Sequence, residues 1–101
     1  MAINKKNAIC KYALSSLNDV VSFAKFVSYA EDLPQVNELF ENEESRENYQ
    51  QIWFELEILN ALALSEWENE GRPADWQSRW ETDYKHDAYE IVTNLLKSLS
   101  G

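Results

Sequence analysis

The stretch from Ser45 to Glu70 reads SRENYQQIWFELEILNALALSEWENE and decides the fold of this chain. Apolar side chains recur in it every three or four residues, which is the spacing of one face of an α-helix. The opposite side of the same helix is also apolar, and this pattern is typical of a helix packed between neighbours. We therefore predict a long central helix over about 45–70, sandwiched in the core. Its first stripe consists of Tyr49, Ile52, Trp53, Leu56, Leu59, Ala63 and Trp67, and its second of Phe54, Ile58, Ala61 and Leu62.

Shorter segments with the same helical period lie on both sides of this stretch. Asn18 or Asp19 is suited to cap a second helix, and Gly71 followed by Pro73 is a typical helix end. Two glycines and two prolines supply little turn chemistry for an all-β fold. The sequence therefore predicts an all-α fold, a compact bundle of about five to six helices in a single domain over 1–101. The predicted helices cover about 4–17, 19–30, 34–40, 45–70, 74–81 and 84–99, and the last two are also compatible with one bent helix.

The composition argues against most catalytic and metal chemistry. The chain has one cysteine and one histidine, which excludes a disulfide framework, a Cys-rich zinc site and a His-pair metal motif. We expect Cys10 to be a reduced core side chain and His86 to be structural. No signal peptide or membrane span is recognisable. The sequence thus predicts a cytoplasmic protein that is not an enzyme and that uses no metal or cofactor.

The charge is unevenly distributed along the chain, whose net charge is −9. Residues 1–30 hold four lysines against one aspartate, whereas residues 31–90 hold 17 acids against four bases, a balance of −13. Duplex affinity comes from neutralising phosphates with Lys and Arg, so nucleic acid is disfavoured as a partner. An anionic membrane is disfavoured for the same reason. A basic protein partner is favoured, because opposite charge steers the encounter.

Two groups of acids are the candidate contact residues. Each is also compatible with a plain solvated surface, and Glu44 and Glu47 are placed to stabilise a helix N-terminus. If the groups bind a basic partner, reversing Glu41, Glu43, Glu44 and Glu47 to lysine abolishes binding without unfolding the chain. The first acidic cluster consists of Glu38, Glu41, Glu43, Glu44 and Glu47, and the second of Glu66, Glu68, Glu70 and Asp75.

Three tryptophans surround the predicted joint at 71–73. In one interpretation Trp67, Trp76 and Trp80 stack on each other and on Arg72 or Arg79 to fasten the joint. In the other, these three rings are partly exposed beside Glu68, Glu70 and Asp75 and form a hot spot for protein binding. A homodimer through Trp76 and Trp80 is a further possibility.

An acidic helical domain with these two clusters and no catalytic motif resembles the bacterial immunity proteins of contact-dependent growth inhibition systems. Colicin immunity proteins are similar in function. The resemblance implies a tight one-to-one complex with the toxin domain of the same system, commonly a nuclease with a basic cleft. The carboxylates would then stand where substrate phosphates bind, either inside the active site or over a neighbouring exosite.

Two other functions share parts of this pattern. A phage-type nucleic-acid mimic would use the same carboxylates against a DNA- or RNA-binding machine. A helical adaptor would instead bind a hydrophobic partner groove, and its binding would be insensitive to salt. Inhibition through charge predicts the opposite, because exposed ion pairs weaken as salt rises.

Overall fold

The structure is a computed structural model in which residues 2–36 and 39–99 are described. No strand occurs in these ranges, so the all-α prediction is confirmed. Two 3₁₀ turns, Ser16–Asn18 and Leu33–Gln35, connect the first three helices. The α-helices are α1 (Ala2–Ser15), α2 (Val20–Glu31), α3 (Glu43–Asn69), α4 (Gln77–Asp83) and α5 (Lys85–Lys97).

The central helix α3 begins at a capping box. The Asn42 side chain accepts a hydrogen bond from the Ser45 N–H at 2.8 Å, and the Ser45 hydroxyl accepts one from the Asn42 N–H at 3.2 Å. Two backbone donors that a helix start leaves unpaired are satisfied in this way. Glu43 and Glu44 lie in the first turn, where negative charge stabilises the helix dipole.

The helix ends in a Schellman motif. Gly71 has a φ of +88°, and its N–H donates to the Glu68 carbonyl at 3.0 Å. The Arg72 N–H donates to the Trp67 carbonyl at 3.0 Å. Glycine adopts this left-handed conformation without steric cost, so the stop predicted at Gly71 is confirmed.

The core lies on one side of α3, where α2 and α5 pack against it. Tyr49 donates its hydroxyl hydrogen to the Ala30 carbonyl at 2.7 Å, and the Trp53 ring N–H donates to the Val27 carbonyl at 2.9 Å. These two bonds fix α3 against α2. The largest fully buried side chains are Trp80, Tyr49, Phe23, Phe26, Ile9, Leu39, Leu56, Leu95, Val27 and Val92.

The connection before α2 agrees with the sequence prediction, and the connection after α2 differs from it. Asp19 caps α2 by accepting from the Ser22 N–H at 2.7 Å, as predicted. In place of the start of the helix predicted over 34–40, the structure has the 3₁₀ turn Leu33–Gln35 followed by an extended Val36, and residues 37–38 of that prediction lie outside the described residues. Leu39 and Phe40 are buried, as predicted for its inner face.

The C-terminal segment forms two helices that meet at Tyr84. Its φ of −128° departs from helical values, so α4 and α5 are separate. Hydrogen bonds nevertheless continue across the junction, from the Tyr84 N–H to the Trp80 carbonyl and from the Ala88 N–H to the Tyr84 carbonyl, each 3.0 Å. The first of these helices begins at Gln77 rather than at 74, because the chain from Arg72 to Trp76 is irregular.

The expectation that α3 is sandwiched is wrong. Its second apolar stripe faces solvent, with Phe54 60% exposed, Ile58 48% and Leu62 59%. The molecule measures 42 × 22 × 19 Å, and its long dimension is close to the length of a 27-residue helix. The neighbours therefore cover the face that bears Tyr49, Leu56 and Ala63 and leave the opposite face open.

Candidate functional site

The first acidic cluster lies at the N-terminal end of α3. Glu41, Glu43, Glu44 and Glu47 are all exposed, and Glu38 lies outside the described residues. Glu43 forms an ion pair with Arg46 at 2.9 Å. Glu41, Glu44 and Glu47 make no ion pair with any described residue. Their charge is therefore available to a partner.

Arg46 fastens the start of α3 to the preceding turn. Its Nε donates to the Pro34 carbonyl at 2.8 Å, and its guanidinium lies 5.4 Å from the centre of the Phe40 ring. A cation over an aromatic face is a favourable contact. The acidic cluster is thus presented by an anchored helix end.

Two arginines form ion pairs with three of the four acids of the second acidic cluster. Arg79 pairs with Glu66, with Glu70 at 3.4 Å and with Asp83 at 2.5 Å. Tyr84 also donates its hydroxyl hydrogen to Glu66. These contacts join the end of α3 to α4, so most of this cluster fastens the fold.

The other two acids of this cluster are Glu68, which forms an ion pair, and Asp75, which forms none with a described residue. Arg72 pairs with Glu68 at 2.6 Å and lies 6.0 Å from the centre of the Trp67 ring. Asp75 is exposed. Three of the four carboxylates of the second acidic cluster are therefore held in ion pairs.

The partial exposure expected of Trp76 and Trp80 is wrong. Trp76 is 6% exposed and Trp80 is fully buried, with its ring N–H donating to the Leu17 carbonyl at 2.8 Å. Both rings stack on Tyr84, with centroids 5.8 and 6.3 Å away. The rings pack at the joint, as in the first interpretation, but Trp76 and Trp80 stack on Tyr84 rather than on each other, and Arg72 lies over Trp67. Neither Trp76 nor Trp80 is open to a partner or to a second copy in this structure.

An exposed apolar stripe on α3 is the feature that sequence reasoning missed. Phe54, Ile58 and Leu62 are spaced four residues apart and point away from the core. A signal was present in the sequence, because Gln51 and Ser65 lie on the same helix face. A buried face does not ordinarily continue into polar residues at both ends.

A groove runs beside this stripe, between α3 and α5. Ile58, Leu62 and Ile91 contribute its apolar surface, and Asp87 and Glu90 belong to its rim. Its volume is about 390 Å³. The complete lining is Glu55, Ile58, Leu59, Leu62, Asp87, Glu90 and Ile91.

The acidic cluster and the apolar stripe lie on one face of α3. At 100° per residue, Glu44, Glu47, Phe54, Ile58 and Leu62 fall within about 80° around the helix axis. They span 18 residues, or about 27 Å. No lysine or arginine occurs between Glu47 and Gly71. We call these five residues the α3 contact face.

The two acidic clusters do not form one surface. Glu44 and Glu68 are 24 residues apart on the same helix, which corresponds to about 36 Å. A partner touching both clusters would have to span nearly the whole 42 Å length of the molecule. The first cluster and the apolar stripe are closer together and form the better candidate site.

No family model, curated protein or solved structure matches this chain. Within the described ranges, every helix falls short of the combination of length and hydropathy that a membrane-spanning segment requires. Among the same residues, no three His, Cys, Asp or Glu side chains are grouped so that they could hold a metal ion. The candidate site is therefore defined by its exposed charge and its exposed apolar side chains.

Proposed function

We propose that this chain is a protein-binding inhibitor that neutralises a basic partner through the α3 contact face. The observation that carries the proposal is the continuity of free carboxylates with exposed apolar side chains along one helix face. Interfaces combine buried apolar anchors with a charged rim that selects the partner. Glu44 and Glu47 supply the charge, and Phe54, Ile58 and Leu62 supply the anchors.

The partner that fits best is a toxin nuclease domain with a basic cleft, in a one-to-one complex. The resemblance to immunity proteins supports this choice, and so does the chemistry of the site. A nuclease cleft is built to bind phosphates, and carboxylates can occupy the same positions by charge. In this proposal Glu41, Glu44 and Glu47 face the cleft or its rim and exclude the nucleic acid.

The available surface is sufficient for a standard interface. Such an interface covers about 800 Å² on each partner. The molecule exposes 6138 Å², so roughly one-eighth of its surface would be used. A helix face about 27 Å long, together with the adjoining groove, can supply an area of this order.

The test is to titrate the purified chain against basic nuclease domains of contact-dependent and colicin-type toxins, including any encoded beside its own gene. Nuclease activity and binding are measured at about 50 mM and about 300 mM salt. We expect stoichiometric inhibition by one domain and weaker binding at high salt, mainly through a slower association rate. Absence of inhibition across the panel would contradict the proposal.

The exposed stripe also supports a second function, that of a helical adaptor. Phe54 and Leu62, which lie two turns apart on one helix, are each about 60% exposed, and a row of exposed apolar side chains is typical of an interaction surface. An adaptor would bind mainly through these side chains. Its affinity would then change little between the two salt concentrations, and no nuclease would be inhibited.

A further inference from the structure

We infer that the groove between α3 and α5 binds a basic amphipathic helix of the partner. The inference rests on the proposed function, since it specifies which part of a basic partner the α3 contact face receives. It goes further by naming the secondary structure, the apolar spacing and the charge of the bound segment. Its support comes from the shape of the groove, its apolar floor and the charge of its rim.

The apolar part of the groove matches the spacing of a helix. Ile58 and Leu62 line the groove one helical turn apart, and Phe54, which lies outside the groove lining, extends their row to about 12 Å along α3. Leu59 and Ile91 continue the apolar surface towards α5. Helices that bind in grooves present apolar anchors at i, i+3 or i+4, and i+7, which cover nearly the same length. One such helix can therefore cover the whole row.

The charge of the rim requires a basic segment. Glu55 borders the groove from α3, and Asp87 and Glu90 border it from α5. All three carboxylates are exposed, and Glu90 is 3.1 Å from His86. No lysine or arginine contributes to the lining. Lysines or arginines flanking the apolar anchors of a bound helix would meet these carboxylates directly.

Charge also argues against a second copy of this chain as the occupant. A two-fold pairing of this face would bring two acidic rims together, in a molecule with a net charge of −9. The basic helix α1 cannot fill the groove of another copy either. Its apolar residues Ile9 and Ala13 are buried in its own core. The exposed Tyr12 and Leu14 are two residues apart, which does not give the i, i+3 or i+4, and i+7 spacing of a helix bound in a groove. The occupant must therefore come from another protein.

The probe is a fluorescein-labelled peptide of about 15 residues, with leucines at i, i+4 and i+7 and with lysines elsewhere. One glutamate replaces a lysine four residues from another lysine, and a lactam bridge between these two side chains holds the peptide helical. The control peptide has the same composition in an order that gives no apolar face. Binding to the intact chain is followed by anisotropy, and we expect the amphipathic peptide to bind at least about tenfold tighter than the control.

Two matched variants locate the site. The double variant Ile58→Ser with Leu62→Ser changes the groove, whereas Leu14→Ser with Val21→Ser changes two other exposed apolar residues. All four side chains are between 41% and 59% exposed, so both proteins are expected to fold, and circular dichroism checks this. We expect the groove variant to lose at least about tenfold in peptide affinity and the control variant less than about twofold.

Three results would overturn the inference. Equal binding of both peptides would show that charge alone acts, and equal loss in both variants would show that the groove is not the site. Self-association that the groove substitutions abolish would make a second copy the occupant. Peptide binding without nuclease inhibition would leave the groove in place and reject the proposed function. Nuclease inhibition that is unaffected by the groove variant would support the proposed function and reject the groove as the binding site.

Discussion

Tyr49 is the titratable group whose environment is most altered by the fold. Burial raises its pKa above the ordinary value, and a smaller contribution comes from the nearby charge of Tyr29. Above about pH 10 the unfolded chain loses this proton while the folded chain keeps it. The stabilisation from a protonated Tyr49 is therefore complete below pH 10 and is lost as the pH rises further.

Replacement of Tyr49 by phenylalanine tests this linkage. At pH 7 the variant should be about 1 kcal/mol less stable, because the hydrogen bond to the Ala30 carbonyl is lost. Between about pH 10 and 12 its stability should fall less steeply, by up to about 1.4 kcal/mol per pH unit. Urea unfolding at several pH values measures both effects. Tyr89→Phe is the control, since Tyr89 is 52% exposed, and an identical slope in both variants would contradict the assignment.

Asn60 is a buried polar residue whose side-chain oxygen Oδ1 accepts no hydrogen bond from any described residue. An unsatisfied buried acceptor costs about 1–3 kcal/mol. Asn60→Leu should therefore raise the free energy of unfolding by about 1 kcal/mol or more. Asn48→Leu, at an exposed position on the same helix, controls for the higher helix propensity of leucine. If Asn60→Leu gains no more than this control, Oδ1 is satisfied in solution.

Single residues were predictable where local backbone chemistry decides their role. The caps at Asp19 and Gly71 follow from rules that act over three or four residues. The burial of Trp80 could not be read locally, because it depends on contacts with Leu17 and Phe23 far away in the sequence. The ion pairs of Glu66 and Glu70 with Arg79 could not be read locally either, because they form only when α4 packs beside the end of α3.

At the scale of elements, Arg79 is the main polar link between α3 and α4. It contacts carboxylates of both helices, so Arg79→Ala should destabilise the joint by roughly 1 kcal/mol, a modest value because the side chain is 47% exposed. Amide hydrogen exchange should rise first in α4. Lys25→Ala, at an exposed site on α2, is the control. Unchanged exchange in α4 would show that stacking of Trp76 and Trp80 on Tyr84 suffices.

The helix bounds were predicted closely where the apolar spacing repeats over many turns. The bounds of α3 agree with the sequence to within two residues, since seven turns of apolar spacing leave little ambiguity. The sandwiching of α3 was not predictable from its own sequence. Periodicity reports which faces are apolar, but only the number and packing of the other helices decide which face is covered. Here they cover one face, and the other became the candidate site.

At the scale of the whole molecule, the sequence gives the distribution of charge along the chain. It does not give which carboxylates remain unpaired and accessible to a partner. The sequence locates the acids in residues 31–90, whereas the fold decides which of them meet an arginine. The second acidic cluster is paired at the joint, and the first keeps Glu41, Glu44 and Glu47 free of described ion pairs. Charge-driven binding is therefore expected at one end of the long axis.

The most direct test compares two double charge reversals that change the net charge equally. Glu44→Lys with Glu47→Lys alters the α3 contact face, and Asp75→Lys with Glu81→Lys alters exposed acids away from it. Each pair shifts the net charge from −9 to −5, because every reversal adds two units. The measurement is the affinity for the basic nuclease domain that the unmodified chain inhibits, at about 50 mM salt.

We predict that the Glu44 and Glu47 reversals weaken binding by about 100-fold or more, and that the Asp75 and Glu81 reversals weaken it by less than about fivefold. Both proteins should remain folded, because all four side chains are exposed. The Glu44 and Glu47 reversals should lower the stability somewhat more than the control pair, since they place positive charge near the N-terminus of α3, and unfolding curves measure this difference. Equal losses in the two variants would mean that net charge alone drives binding. That result, or full binding by the Glu44 and Glu47 variant, would contradict a specific role for the α3 contact face.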